Sequence, residues 1–154
     1  MLHVTVLAVG KVKEKYLREG IAEYEKRIRP YIRLKMKELP DEPLGKEIEK
    51  AQSVEGDRVL REVKDGAFLA ALDPQGKQIS SEEFSKWFGE REMGGQEIVF
   101  AIGGASGLAE KVKKRANAAL SFSRLTFPHQ LFRLILMEQI YRAYKILRGE
   151  KYHY

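Results

Sequence analysis

An open α/β sheet, mostly parallel and covered by helices on both faces, is the fold this sequence predicts. Three observations predict it. Stretches of strand and helix character alternate along the chain. Two short runs, Ala67-Phe-Leu-Ala-Ala-Leu72 and Glu97 to Ile102, are almost wholly apolar, the pattern of interior parallel strands buried on both faces. The apolar stretches ending at Ile102 and Phe122 spill into small-residue loops ahead of helices, where open α/β sheets hold ligands.

Taken in order, Leu2 to Val9 alternates apolar and polar side chains and stops at Gly10, which predicts a half-exposed strand. Tyr16, Leu17, Ile21, Tyr24 and Ile28 recur at helical spacing up to Pro30. Ile32, Leu34 and Met36 alternate with Arg33, Lys35 and Lys37, a second strand with a basic outer face. Pro40 to Gly45 is a loop. A helix follows from about Lys46 to Lys64, with Gly56 weakening its middle by roughly 1 kcal/mol relative to Ala. After the strand at 67–72, Asp73-Pro-Gln-Gly76 has the residue preferences of a type I turn. Ser80 and Glu83 form a capping box ahead of Phe84, Trp87 and Phe88, and Gly94-Gly95 ends that helix. Leu108 to Arg115 is a basic helix and Ala118 to Phe122 a last short strand. The final helix, from about Gln130 to Leu147, is apolar over more than one face, wider than one sheet can cover, so part of it is expected to meet a second subunit unless it is a central core helix.

The 154 residues suit one domain spanning 1–154. The chain has no cysteine, which excludes disulfides, thiolate nucleophiles and cysteine-ligated metals. Its start lacks a basic n-region and a small-residue cleavage site, and no apolar run approaches the ~20 residues of a membrane helix. The expectation is a soluble cytoplasmic protein with no membrane partner. Lys and Arg outnumber Asp and Glu by 28 to 22, for a formal charge of +6. That balance suits a polyanionic partner, although charge alone does not separate one from a solvated basic surface.

The strand ends at Leu72, Ile102 and Phe122 converge as the candidate site. Gly103, Gly104 and Gly107 let a flat ring or ribose approach the backbone closely. Gly-Gly-Ala-Ser-Gly is neither the G-x-G-x-x-G fingerprint nor a Walker loop, so by spacing alone a tight strand-to-helix turn stays open beside a ligand loop.

Leu7-Ala-Val-Gly10, Glu23-Tyr24, Leu72-Asp-x-x-Gly76, Ile102-Gly-Gly-x-x-Gly107, Ser121-Phe-Ser-x-x-Thr-Phe-Pro-His129, Glu138-Gln-x-Tyr-Arg142 and Tyr152-His153 occur in this order over essentially the whole chain. Together they resemble the RlmH type of SPOUT methyltransferase. The resemblance implies a C-terminal segment threaded into a deep trefoil knot. It also implies a homodimer that moves a methyl group from S-adenosylmethionine to N3 of a pseudouridine in large-subunit ribosomal RNA, on the assembled ribosome and without a metal. Carried over by residue, Leu72, Gly103 and the run Phe122, Ser123, Arg124, Leu125, Thr126 and Phe127 contact the cofactor.

An imide nitrogen is a poor nucleophile while protonated, so the chemistry asks for a base or for positive charge that stabilises the anion. His129, Glu138, Arg142 and His153 are the polar candidates in the C-terminal half. Arg142 is favoured because it interrupts an apolar helix, against an intrahelical ion pair with Glu138. His153 is the candidate for proton transfer, in a tail that resembles an active-site cover. The resembling family often carries Lys or Arg after this His, where this chain ends in Tyr154. Lys11, Lys13, Arg33, Lys35, Arg124 and Arg142 are candidates for a ribosome-facing surface. Three other readings remain: a SPOUT methyltransferase acting on transfer RNA, a noncatalytic ribosome-binding factor, and a Rossmann-like nucleotide enzyme lacking the early glycine fingerprint.

Overall fold

The computed structural model describes every residue except Leu44, Lys46, His153 and Tyr154. Five strands, β1 (His3–Val9), β2 (Arg33–Leu39), β3 (Phe68–Gln78), β4 (Ile98–Ile102) and β5 (Ala118–Ser121), alternate with five helices, α1 (Lys15–Ile28), α2 (Ile48–Arg61), α3 (Ser81–Gly94), α4 (Glu110–Arg115) and α5 (His129–Leu147). The strands form one sheet in the order β2-β1-β4-β3-β5, and every pairing is parallel. The predicted start of α2 at Lys46 lies outside the described residues.

Side-chain alternation divides the core in two. Val4, Val6, Ile98, Phe100 and Ile102 face α1, α3 and α5, where they meet Leu17, Ile21, Phe84, Phe88, Met137 and Ile140. Leu7, Val9, Leu69, Val99 and Ala101 face α2 and α4, where they meet Val59, Ala109 and Val112. Gly56, expected to weaken α2, lets it approach α4: a Cβ there would lie 2.7 Å from that of Ala109.

The structure corrects three local expectations. β1 is not half-exposed; it lies between β2 and β4 with Val6, Leu7, Ala8 and Val9 all buried, because helices cover both faces. Tyr16, placed on the apolar face of α1, points to solvent and is 66 % exposed. Asp73 to Gly76 form no separate turn. They are an excursion within β3, since Leu72 and Lys77 are both registered opposite Leu120.

The wide stripe of α5 is largely used within the chain. Leu136, Met137, Ile140, Ala143 and Tyr144 are buried, and Leu131, Phe132, Leu134, Tyr141 and Leu147 pack half-buried against the same cluster. The capping box of α3 is present in both directions, with Glu83 N–H donating to Ser80 Oγ at 3.1 Å and Ser80 N–H to Glu83 Oε1 at 3.0 Å. Ser80→Ala is expected to cost about 1 kcal/mol, a fall in Tm of roughly 2–4 °C by calorimetry. An unchanged melting curve would show that the box contributes nothing.

Candidate active site

Parallel strands send all their carboxyl ends to one edge of the sheet, so the segments after Leu72, Ile102 and Ser121 collect there. They enclose a cavity of about 500 Å³. Its apolar lining comes from Leu72, Ile102, Leu120 and Phe122 at the strand ends, with Leu108, Phe127 and Phe132 beside them. Gly103 lets the loop that lines it close on itself, because a Cβ there would lie 2.6 Å from the Gly107 carbonyl carbon and 2.7 Å from Leu108 N. The segment after β5 is held by its own hydroxyls: Ser121 Oγ donates to the Ser123 carbonyl at 3.0 Å, and Leu125 N–H donates to Ser123 Oγ at 2.9 Å. Polar side chains spent on local backbone leave a lining suited to a flat apolar group.

Leu72, Gly103, Phe122, Ser123, Leu125, Thr126 and Phe127, all singled out from the sequence, line this cavity together. Arg124 does not. It is exposed and borders an adjoining open recess with Gln78, Ile79, Ser80 and Glu83.

Arg142 lies elsewhere on α5 and is not part of the cavity lining. Its guanidinium pairs with Glu138, Nη2 to Oε2 at 3.0 Å, and sits over the Tyr152 ring at 4.7 Å. The intrahelical ion pair is therefore present. Tyr152 donates to Glu138 at 3.0 Å, and its hydroxyl lies 3.3 Å from that of Tyr24. Burial, together with hydrogen bonds to Tyr24 and Glu138, pushes the Tyr152 phenol above its ordinary range. Tyr152 thus docks on the α1–α5 flank and is not among the residues lining the cavity. His153 lies outside the described residues.

His129 opens α5 and lines the cavity. Burial holds its imidazole below the ordinary value, Arg133 adds to the depression, and Asp41 and Glu55 oppose it. Between that lowered value and about 6.5 the unfolded chain binds more protons than the folded one, so stability rises with pH through this window. Below the window the buried imidazole costs stability. Wild type should therefore lose more Tm than His129→Gln on going from pH 7 to pH 5; parallel losses would remove the cause assigned here.

Three residues of the site escaped the sequence reading. Arg133 is 1 % exposed, yet its Nη2 donates to the Val9 and Gly10 carbonyls, both at 2.9 Å, and its Nη1 to Glu38 at 2.8 Å. It ties the start of α5 to the ends of β1 and β2. Its signal was an arginine inside Leu131-Phe-Arg-Leu-Ile-Leu-Met137, a deeper interruption than Arg142. Asp73 and Lys113 face each other at the cavity, Oδ2 to Nζ at 3.4 Å; the sequence marked Asp73 as a turn and motif residue and Lys113 as part of a basic helix, and gave neither a site role.

The first turn of α5 also reaches the loop after β1, where Gln130 Oε1 accepts the Lys13 backbone N–H at 2.9 Å. Exposed Lys13 is thereby placed beside the residue that follows His129, with exposed Lys11 two residues earlier in the same loop.

Comparison with known proteins agrees with this architecture. Residues 2–153 match a family model described as "Predicted SPOUT methyltransferase". The chain is 51 % identical to a Carboxydothermus hydrogenoformans protein named "Ribosomal RNA large subunit methyltransferase H", over 99 % of each chain. It is 53 % identical to a protein of the same name from Pelotomaculum thermopropionicum, over 100 % of each chain. Among solved structures, a probable methylase family protein from Haemophilus influenzae superposes with a TM-score of 0.58, covering 100 % of this chain and 72 % of that one. Identity there is 7 %, so the likeness concerns the fold alone. With a match from residue 2 to residue 153 and relatives more than half identical end to end, the chain belongs to the RlmH-type SPOUT methyltransferases.

Proposed function

We propose that this protein uses S-adenosylmethionine to methylate N3 of a pseudouridine in large-subunit ribosomal RNA, acting in the cytoplasm on the assembled ribosome as a homodimer with the family's knotted threading. The observation that carries the reading is the apolar cavity at three strand ends, walled on one side by the glycine loop that Gly103 lets close on itself. Its size and apolar lining suit a nucleoside-sized group with a flat ring. The names of the two curated relatives support ribosomal RNA as the substrate class.

When bound, S-adenosylmethionine supplies a methyl group already made electrophilic by its sulfonium. Leu72, Gly103, Phe122, Ser123, Leu125, Thr126 and Phe127 would hold it, mainly through backbone and apolar surface. Arg124 borders the adjoining recess, a position suited to RNA phosphate. Lys13, exposed beside the start of α5, and Lys11 in the same loop extend the same positive edge.

Arg142 and His153 are assigned to the acceptor, Arg142 to stabilise the deprotonated imide and His153 to move its N3 proton. Arg142 is not among the lining of its own chain's cavity, and Tyr152 docks beside it. On this reading Arg142 serves the cavity of a second copy of the chain, and the tail that carries His153 acts as the active-site cover.

The test is methyl transfer from labelled S-adenosylmethionine to assembled ribosomes, isolated large-subunit RNA and transfer RNA. Label at a pseudouridine of assembled ribosomes is expected. Label confined to transfer RNA would replace the substrate, and absence of transfer to all three would overturn the reading.

A further inference from the structure

The excursion within β3 has been given no task beyond Leu72 at its start. Three features fix its shape. Asp73 Oδ1 accepts the Gln75 backbone N–H at 3.0 Å. The Pro74 ring restricts its own φ to about −65°. Gly76 passes so close to β5 that a Cβ would lie 2.7 Å from the Ala119 carbonyl oxygen. The outcome is a carboxylate held at the cavity: the Asp73 side chain is 12 % exposed, and Lys113, 29 % exposed, places Nζ 3.4 Å from Oδ2. Among the described residues that line the cavity, Asp73 is the one carboxylate and Lys113 the one ammonium.

An ionised carboxylate offers about four acceptor directions. Gln75 N–H takes one of them and the Lys113 ammonium faces Oδ2 at 3.4 Å, which leaves at least two for a ligand. Lys113 also supplies the compensating charge, so a second cation has little to gain at this carboxylate. A pair of neutral hydroxyls has more, because both can donate to an acceptor already ionised and already oriented.

We infer that Asp73 receives the ribose diol of an adenosyl ligand in this cavity, with Lys113 as the positioning residue that holds the carboxylate in place. The inference rests on the S-adenosylmethionine reading and names the part of that molecule the excursion recognises. It makes ribose over deoxyribose a specificity of this site.

The experiment is calorimetric binding of S-adenosylhomocysteine and its 2′,3′-dideoxy analogue to the full chain, wild type, Asp73→Asn and Lys113→Met. Wild type should prefer the ribose form by about 10- to 100-fold. Asp73→Asn retains an Oδ1 for the Gln75 N–H but loses the charge, and should reduce the preference to about threefold or less while leaving affinity for the dideoxy analogue unchanged. Lys113→Met should narrow the preference too, and serves alone should Asp73→Asn fail to fold.

An undiminished preference in both folded variants overturns the inference, as does equal binding of the two ligands by wild type, and the cofactor reading survives either result. Wild type that binds neither ligand sinks the cofactor reading and the inference together. 5′-Methylthioadenosine separates the role of Lys113: weakening confined to S-adenosylhomocysteine would place Lys113 on the amino-acid carboxylate and overturn its positioning role.

Discussion

Gly103→Ala should lower affinity for S-adenosylmethionine by about 100-fold or more and destabilise the fold by about 1–3 kcal/mol. The added methyl would sit 2.6 Å from the Gly107 carbonyl carbon, 2.7 Å from Leu108 N and 2.9 Å from the Gly107 carbonyl oxygen. All three are backbone atoms, so no rotamer change relieves the clash and the segment from 103 to 108 must move. That segment is braced by a Gly107 N–H bond to the Gly104 carbonyl at 3.0 Å and by Gln52 donating to the Ser106 carbonyl at 2.7 Å. Movement therefore breaks bonds as well as reshaping the cavity. Gly66→Ala is the control, since a Cβ at that position meets nothing within 4 Å. Calorimetric affinity and Tm both near wild type for Gly103→Ala would show that the glycine loop is neither tight nor part of the binding site.

The second large effect belongs to Arg133. Its replacement by methionine keeps an unbranched apolar side chain but strands the Val9 and Gly10 carbonyls and removes the charge partner of Glu38, which keeps the Val12 N–H. Leaving buried acceptors without donors costs 1–3 kcal/mol each, and Glu38 is exposed enough to recover water, so the expected loss is about 3 kcal/mol. That corresponds to a fall in Tm of roughly 6–12 °C for a chain of this size. Arg133→Lys should recover only part of it, because one ammonium cannot reproduce a fork that serves acceptors on β1 and β2. Cofactor affinity should fall as well, since the first turn of α5 carries His129 and Phe132 into the cavity lining. A methionine variant that melts like wild type would mean that the guanidinium only offsets its own desolvation.

Much of the scaffold was legible because period and punctuation agreed. Apolar runs at 67–72 and 97–102 marked interior strands, Ser80 and Glu83 marked a helix start to the residue, and Gly103 to Gly107 marked a loop that lines the cavity. The misreadings came where tertiary neighbours decide. Thr5 within Leu2–Val9 looked like an exposed face, but burial of that strand depends on pairing with β4, a stretch far away in sequence. Asp73-Pro-Gln-Gly76 has the composition of a free turn, and only the register against Leu120 shows that the strand resumes beyond it.

The site was legible in its glycines and apolar residues and illegible in its charges. Interruption of an apolar helix was applied to Arg142, which forms a flanking ion pair, and not to Arg133, which is buried among backbone acceptors. A single charged letter in an apolar run does not reveal whether its partners are four residues away or 124. The pairing of Asp73 with Lys113 was missed for the same reason, since it exists only once β3 and α4 have met.

The sheet order carries a consequence for how the chain is made. β1 can pair with β2 soon after both emerge, through His3 opposite Arg33, but its other edge waits for β4, through Val4 opposite Ile98. At roughly 5–20 residues per second, translation separates Val4 from Ile98 by on the order of 5–20 s, and the Arg133 clasp arrives later still. Until then a strand whose second half is Val6-Leu-Ala-Val9 is exposed on a nascent chain with one edge unpaired. A chaperone that shields apolar segments has its longest opportunity at β1, and the arrival of α5, which packs on the same core, ends its access.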